Sequence, residues 1–396
     1  MERQSVIKNL PEALRVVKEM KLASDEWTGE YRDAARSTIA QVLKQQMDEQ
    51  VAGHLSWAYQ KGIPDRKNGS YLRHVLTEIG NVILAIPRTR HFSPRGIIAA
   101  YARRVREIDH LILACFLLGL STRKVGVSLL TLLGEKVSPQ TVSRVASTLD
   151  AAVHAFHLRR ITGRFRALIL DGIVIKRKTG AGTLKRPVLV ALGIRPDGKK
   201  EVIDFCLATS ESAAAWSRFL TDLFNRGLAV PEVICADGGQ GLISVLPEVF
   251  PGVPLQRCWA HKIRNILDKV PRKKQQAVKK GLQKIYGAKH FREAQRAAKR
   301  WVRSWIEKYP KAVKCLRDDL EDLLTCFQFD DPDFRKAIRT TNAIERRFRE
   351  VRRRTRPMGV FSNRTSVERI LYAVLMYENI NQGVYPVFVL TQNTVT

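Results

Sequence analysis

The chain has 396 residues, is 45% hydrophobic, and carries 68 Lys and Arg against 38 Asp and Glu, a net charge of +30. That apolar fraction excludes a disordered chain, and a positive field of this size fits a polyanion such as nucleic acid while saying nothing about fold. The longest apolar run, Leu111–Leu118, is too short to span a bilayer; with no apolar leader at the start and six scattered cysteines read as reduced thiols, a cytoplasmic protein with no membrane partner is expected.

Residues 1–61 are charge-balanced, with nine basic and nine acidic residues, and read as helices. Ile39, Val42, Leu43 and Met47 recur at the helical period and are expected on one face. KGIPDRKNGSY breaks this pattern. Two strands follow, Tyr71–Glu78 and Asn81–Ile86, joined at Ile79-Gly80 and ended by PRTR, so 1–106 reads as a helical region with a short β-hairpin.

Helices resume near Ser93, and 107–160 contains the parts of a helix-turn-helix. Gly119 closes a buried helix and Ser121 caps the next; beyond Gly134, Ser138 and Pro139 supply an N-cap and a first-turn proline. In that third helix Val142, Val145 and Leu149 form the inner stripe. Gln140, Thr141 and Arg144 are left pointing outward, as contacts to bases or phosphates require. On these residues alone, a helical hairpin packed on its neighbours fits equally well.

From Phe165 the period changes. ALILD, RPVLVALGI and EVIDFCL read as strands, as do EVICAD after a helix at Ser212–Arg226 and PLQRCW before a helix from Ala260. The order β-β-β-α-β-α-β-α predicts an α/β fold with an RNase-H-like core: an antiparallel meander extended by parallel strands into a mixed sheet. Its first part spans 161–270. Residues 271–338 read as a basic α-helical insertion, since Lys262–Arg317 holds nineteen basic residues against three acidic. Trp301 and Trp305 are i, i+4 neighbours there, read as core packing before base stacking. Residues 339–396 return to the core with helices bearing Glu345.

Asp171 follows the apolar run Ala167–Leu170, Asp237 follows Val233–Ala236, and a glycine comes next in both cases. Singly, such a dipeptide is ordinarily a turn. On adjacent strands, the two carboxylates would emerge at one edge. With a third acid from a helix they would make a hard-oxygen site for Mg²⁺ or Mn²⁺, and paired cations can activate a water or a 3′-hydroxyl for phosphodiester displacement.

The third acid stands in TTNAIERRFREVRRRTR, Thr340–Arg356, where seven arginines follow Glu345 and Glu350 is the sole further acid. On a helix, Glu345 shares its face with Arg349, Arg352 and Arg356, whereas Glu350 lies about 140° round the axis. That face, with Arg353 beside it, combines a cation ligand with guanidinium groups for phosphates. The plainer alternative is a helix N-terminal acid paired with Arg349. Cys258 and His261 in RCWAH have ligand spacing but are half of a zinc site; with Trp259 beside them they read as structural.

LILDGI (Leu168–Ile173), VICADGGQGL (Val233–Leu242), RCWAHKIRNIL (Arg257–Leu267) and TTNAIERRFREVRRRTRPMGVFSN (Thr340–Asn363) together resemble the mutator-type transposases of bacterial insertion sequences. The likeness runs over roughly residues 35–380, and also takes in NGSYLRHVLTEIGNVILAIPRTR and GLSTRKVGVSLL. The resemblance implies a DDE transposase whose RNase-H-like catalytic domain is interrupted by a helical insertion. It implies Asp171, Asp237 and Glu345 as the catalytic triad holding Mg²⁺ or Mn²⁺, and Cys258 and His261 as the family's supporting Cys-x-x-His signature. It further implies terminal inverted repeats and target DNA as partners, a dimer on DNA, and association with the nucleoid when bound. Two rivals remain: an RNase-H-like nuclease or resolvase, which would cleave without joining, and a DNA-binding protein derived from a transposase without activity.

Overall fold

The structure is a computed structural model that describes residues 29–94, 104–118, 120–133, 136–179, 182–358, 361 and 363–384. The expected helices before residue 29, the resumption of helix just after Ser93, and the roles of Gly119 and Gly134 lie outside the described residues, as does the tail beyond 384. The chain divides into two compact units, Met1–Leu149 with Val389–Thr396, and Asp150–Phe388.

In the first unit, thirty-two residues without a proline form α1 (Gly29–Gln60). Its inner stripe is Ala40, Leu43, Met47 and Val51, spaced by three or four residues, with Met47 and Val51 fully buried. Ile39 and Val42, expected on this face, are 41% and 51% exposed. At 100° per residue they lie about 80° and 140° round the axis from Met47. The stripe covers a hairpin of β1 (Lys67–Thr77) and β2 (Gly80–Thr89), which turns Val75, Val82, Leu84 and Ile86 inward. Thr77 pairs with Gly80, so the loop is Glu78-Ile79, one residue earlier than expected. Gly80 closes it at φ +111°, a value that favours glycine. Asp65 ties the hairpin to α1, accepting from the Thr89 hydroxyl (2.5 Å) and the Arg90 amide (2.9 Å) while lying 2.8 Å from His54 Nε2.

Three further helices, α2 (Arg106–Leu117), α3 (Thr122–Leu133) and α4 (Pro139–Ser147), pack on one another. The predicted caps form: Ser121 Oγ accepts from the Lys124 amide at 3.3 Å and Ser138 Oγ from the Thr141 amide at 3.1 Å. Val142, Val145 and Leu149 are buried and Gln140 and Arg144 exposed. Thr141 is half-buried, its hydroxyl 3.0 Å from that of Ser138, so part of its polar capacity serves the cap. A Cβ at Gly126 would stand 2.1 Å from the Val137 carbonyl, so α3 meets the turn before α4 only because glycine is there.

The second unit begins with α5 (Leu149–Leu158) and is organised by a sheet of β3 (Ala167–Thr179), β4 (Gly182–Ile194), β5 (Lys200–Leu207), β6 (Val233–Ala236) and β7 (Leu255–Arg257). The strand order is β5-β4-β3-β6-β7. The first three form an antiparallel meander, and β6 and β7 add in parallel beside β3. Parallel neighbours need crossovers. These are supplied by α6 (Ala213–Asn225) before β6, and by the short α7 (Gln240–Ile243) and α8 (Leu246–Val249) before β7. One sheet face buries Leu168, Leu170 and Leu189 against Trp216, Phe219, Leu220 and Leu223 of α6. Two late helices, α15 (Asn342–Met358) and α16 (Arg364–Asn381), contact β3 and β5 respectively. Asn379 of α16 accepts from the Val202 amide (2.7 Å) and donates to its carbonyl (3.1 Å), where the β4–β5 register shifts.

Between β7 and α15 the chain is helical: α9 (Trp259–Leu267), α10 (Arg272–Tyr286), α11 (Phe291–Trp305), α12 (Pro310–Arg317), α13 (Leu320–Leu324), a 3₁₀ turn at Thr325–Gln328, and α14 (Pro332–Ile338). These helices enclose an apolar cluster that includes Val278, Leu282, Ala294, Ala298, Val302 and Leu316, and Lys262 of α9 is buried beside it, donating to the Cys315 carbonyl at 3.1 Å and pairing with Asp319. Trp301 belongs to that core. It is 3% exposed, donates from Nε1 to the Val278 carbonyl at 3.1 Å, and covers Gly281, where a Cβ would stand 2.5 Å from the ring. Trp305 stacks on Tyr309 at 5.6 Å. The whole is a mixed α/β protein with a five-stranded mixed sheet.

Candidate active site

The register of two strands positions the first pair of acids. β3 and β6 run parallel with Leu168 opposite Ile234 and Leu170 opposite Ala236, so Asp171 and Asp237 are the next residue on each. One expectation needs correction: β3 does not end at Asp171. It continues to Thr179 because β4 pairs with it throughout, Asp171 opposite Val190 and Gly172 opposite Leu189. The sheet edge beside Asp237 is made by β6 stopping at Ala236.

Asp171 is 8% exposed and its Oδ1 accepts from the Gly172 amide at 2.8 Å. Burial pushes its carboxyl up to about 7, against the pull of that hydrogen bond, and the negative charges of Asp237 and Glu345 push the same way. Asp237 is half-buried and accepts from the Gly239 amide at 2.9 Å. Gly238 between them has φ +97°, and a Cβ there would overlap the Arg257 guanidinium at 1.9 Å. Only glycine satisfies both constraints.

Glu345 arrives on the first turn of α15, its amide bonded to the Thr341 carbonyl at 3.0 Å. It does not pair with Arg349. His261 Nε2 lies 3.2 Å from Glu345 Oε1, while His261 Nδ1 is 3.4 Å from the Thr341 hydroxyl. Cys258 Sγ accepts from the Thr341 amide at 3.2 Å and lies 3.4 Å from its hydroxyl. Hydrogen bonding to Cys258 pushes His261 up to about 9, against burial, with Asp171 and Glu345 adding to the effect. Burial raises the Cys258 thiol, but hydrogen bonds from His261 and Thr341 outweigh it and leave the thiol lowered. The Cys-x-x-His pair thus joins the start of α9 to the start of α15 and gives Glu345 a cationic partner.

The seven arginines of α15 divide by environment. Arg347 is buried, donating to the Ala343 carbonyl (2.9 Å) and across to the Lys200 carbonyl at β5 (3.0 Å). Arg354 is buried, and together with Arg353 it pairs with Glu350. Arg346, Arg349, Arg352 and Arg356 are exposed and form no ion pair among the described residues. Of the predicted phosphate contacts, Arg353 is therefore already partly neutralised.

Sequence reasoning missed Glu211, in the loop between β5 and α6. A Cβ on Gly172 would meet Glu211 Oε1 at 2.6 Å, so this fourth carboxylate lies directly against the residue after Asp171. Burial and then the charge of Asp237 push its carboxyl upward. The trace in the sequence is indirect, in Gly172 and in Gly241, which stand against the Glu211 side chain and main chain.

Asp171, Asp237 and Glu345 are hard oxygen donors, the class Mg²⁺ and Mn²⁺ prefer. By the chemistry of its donors the set fits such a group; burial first, and then the charges of Asp237 and Glu345, disfavour the ionised Asp171 carboxyl, and a cation would offset them. Among the described residues, no three His, Cys, Asp or Glu are already gathered into a coordination shell.

The fold is an α/β protein whose mixed sheet places Asp171 and Asp237 on neighbouring strands, with Glu345 on a later helix that contacts β3. The profile described as "Transposase, Mutator family" matches residues 11–382. The chain belongs to the Mutator family of transposases, enzymes that cleave DNA strands and transfer them. It is 32% identical over 317 residues to the transposase for insertion sequence element IS905 of Lactococcus lactis subsp. lactis (strain IL1403), covering 80% of each chain. It is 31% identical to the transposase for ISRM5 of Rhizobium meliloti (strain 1021), covering 87% of this chain and 86% of that one. It is also 31% identical to the transposase for IS256 in transposon Tn4001 of Staphylococcus aureus, covering 87% and 90%. Among the described residues no helix is long and apolar enough to cross a membrane.

Proposed function

We propose that this insertion-sequence transposase binds the terminal inverted repeats of its element through its first unit and cleaves and joins DNA at Asp171, Asp237 and Glu345. The second unit is then an RNase-H-like catalytic core, interrupted at 271–338 by a basic helical insertion. The observation that carries the reading is the β3–β6 register, which puts Asp171 and Asp237 side by side, together with the charge of Glu345 felt at Asp171.

The three carboxylates would hold Mg²⁺ or Mn²⁺, which when bound lowers the cost of generating an oxygen nucleophile and of releasing the leaving oxygen. The chain's own residues do the remaining work. His261 fixes Glu345 by its 3.2 Å contact, and Cys258 and Thr341 fix His261. Arg347 anchors α15 to β5 through the Lys200 carbonyl. With α15 held, Arg349, Arg352 and Arg356 can grip successive phosphates beside the scissile bond. In the first unit, Gln140, Thr141 and Arg144 on the capped helix α4 would read the repeat. Both ends of the element must meet, which favours a dimer with one protomer on each.

The test is Asp171→Asn in a cleavage and joining assay with DNA carrying the element's own ends. Cleavage should vanish while end-binding stays within about twofold; cleavage at the wild-type rate would remove Asp171 from the reaction. Joined products from the wild-type protein separate a transposase from a nuclease that only cuts.

A further inference from the structure

Where α9, α10 and α14 meet β5 and α15, the second unit holds a cavity of about 720 Å³. Its walls carry Lys200 at the start of β5, Lys279 of α10, Lys336 and Arg339 at the end of α14, and Arg346 of α15; Asp333 is the one acid among the described lining residues. Lys200, Lys279, Lys336 and Arg346 form no ion pair among the described residues. Arg339 is held by neutral groups, donating to the Tyr286 carbonyl and lying 5.6 Å from the centre of that ring. The crowding of like charge is felt at Lys200. It is half-buried, burial pushes its ammonium downward, and the charges of Arg347 and Arg346 push the same way. Cations gathered and partly dehydrated in this way gain most from an anion placed among them.

The cavity is separate from the three acids. Ala260 and Ile263 of α9 line it, whereas His261 between them meets Glu345. Asn342, Ala343 and Arg346 of α15 line it as well, and Glu345 does not. The cavity does continue the row of guanidinium groups on α15. Arg346, Arg349, Arg352 and Arg356 are all exposed and follow one another at three or four residues, about 5 Å of rise per step. An anion beside Arg346 therefore stands in line with the phosphates that the rest of the row would hold.

We propose that this cavity is a phosphate-binding site outside the catalytic centre, which takes a backbone phosphate of the DNA strand lying along α15. The inference rests on the phosphate row proposed above for α15 and is independent of the three acids.

The full-length protein is titrated with a short random-sequence duplex in chelator at several salt concentrations, so that neither cation nor cleavage enters. Lys200→Gln should flatten the log affinity against log salt plot by about one unit and weaken binding about fivefold near about 0.15 M salt. Lys200→Arg, which keeps the charge, should restore most of the loss. Both variants keep the main-chain carbonyl that Arg347 uses, so melting temperatures should match the wild type. Ala337→Phe, on the cavity wall, alters no charge; by filling the space it should weaken binding as Lys200→Gln does. If Lys200→Gln flattens the plot and Ala337→Phe binds like wild type, the lysine supplies charge at a distance and the cavity is no site. Arg352→Ala is run in parallel. If it alone flattens the plot, the inference fails by itself; if all three variants behave like wild type, the α15 row fails with it. Thymidine monophosphate, titrated by calorimetry, separates the sources of phosphate. Lys200-dependent binding of that nucleotide with an unchanged duplex plot would assign the cavity to a free nucleotide and overturn the DNA assignment.

Discussion

At the scale of single residues, the Asp171 environment sets a pH dependence whose sign can be worked out. Its carboxyl is raised by burial to about 7, above the usual carboxylate value. A raised acid contributes to stability while protonated in both folded and unfolded states, and that contribution is lost as pH rises through the folded value. In chelator, the wild-type protein should therefore lose stability between about pH 4 and about pH 7, and Asp171→Asn should lose less over the same range. Parallel slopes in thermal melts of the two proteins would contradict the burial argument. Cation and proton compete for the same oxygens, so Mn²⁺ affinity should rise across that interval. His261 acts through Glu345. His261→Ala should reduce cation affinity or cleavage about 10–100-fold, and His261→Gln, which retains an N–H donor, should do less harm. Equal damage from both variants, with matched melting temperatures, would argue against a positioning role.

The residue scale is also where the sequence was least explicit. Asp171, Asp237 and Glu345 could be picked out because an apolar run precedes each aspartate and a strongly basic helix carries the glutamate. Glu211 could not. It sits in a loop just before an N-cap, where an acid is expected for helix-dipole reasons, and its closeness to Gly172 arises from a chain reversal with no periodic signal. Arg347 and Arg354 look like the other arginines of their helix in the sequence, yet both are buried, because one face of α15 is turned into the unit.

At the scale of elements, α4 and α15 carry the testable claims. Ser138 caps α4 through the Thr141 amide, so Ser138→Ala should cost about 1 kcal/mol of stability and weaken end-binding. On α15, Arg352 is exposed and unpaired among the described residues. Arg352→Ala should weaken DNA binding and flatten the log affinity against log salt plot by about one unit. An unchanged slope, measured by titration at several salt concentrations, would remove the phosphate contact. Caps and strand runs were legible because their signals are local: Ser121 before α3, Ser138-Pro139 before α4, five apolar runs. The continuation of β3 past Asp171 was not, since it depends on pairing with β4 and an Asp-Gly dipeptide reads locally as a turn. The outward placement of Ile39 and Val42 likewise follows from where the hairpin sits under α1.

At the scale of the whole molecule, a net charge of +30 gives non-specific affinity for DNA that is strongly salt-dependent, and specificity must come from particular side chains. Arg144→Ala should impair binding to the element's own ends more than binding to random DNA; equal losses in a competition assay would mean that Arg144 supplies charge alone. The central claim is that Asp171, Asp237 and Glu345 close around divalent cations when DNA is bound. It is tested most directly by a structure of the protein on its own end DNA with Mn²⁺, located by anomalous scattering. The account predicts a peak between Asp171 in mid-β3 and the end of β6, about 2.2 Å from oxygens of all three acids; a peak elsewhere, or one that any of the three fails to reach, would contradict it.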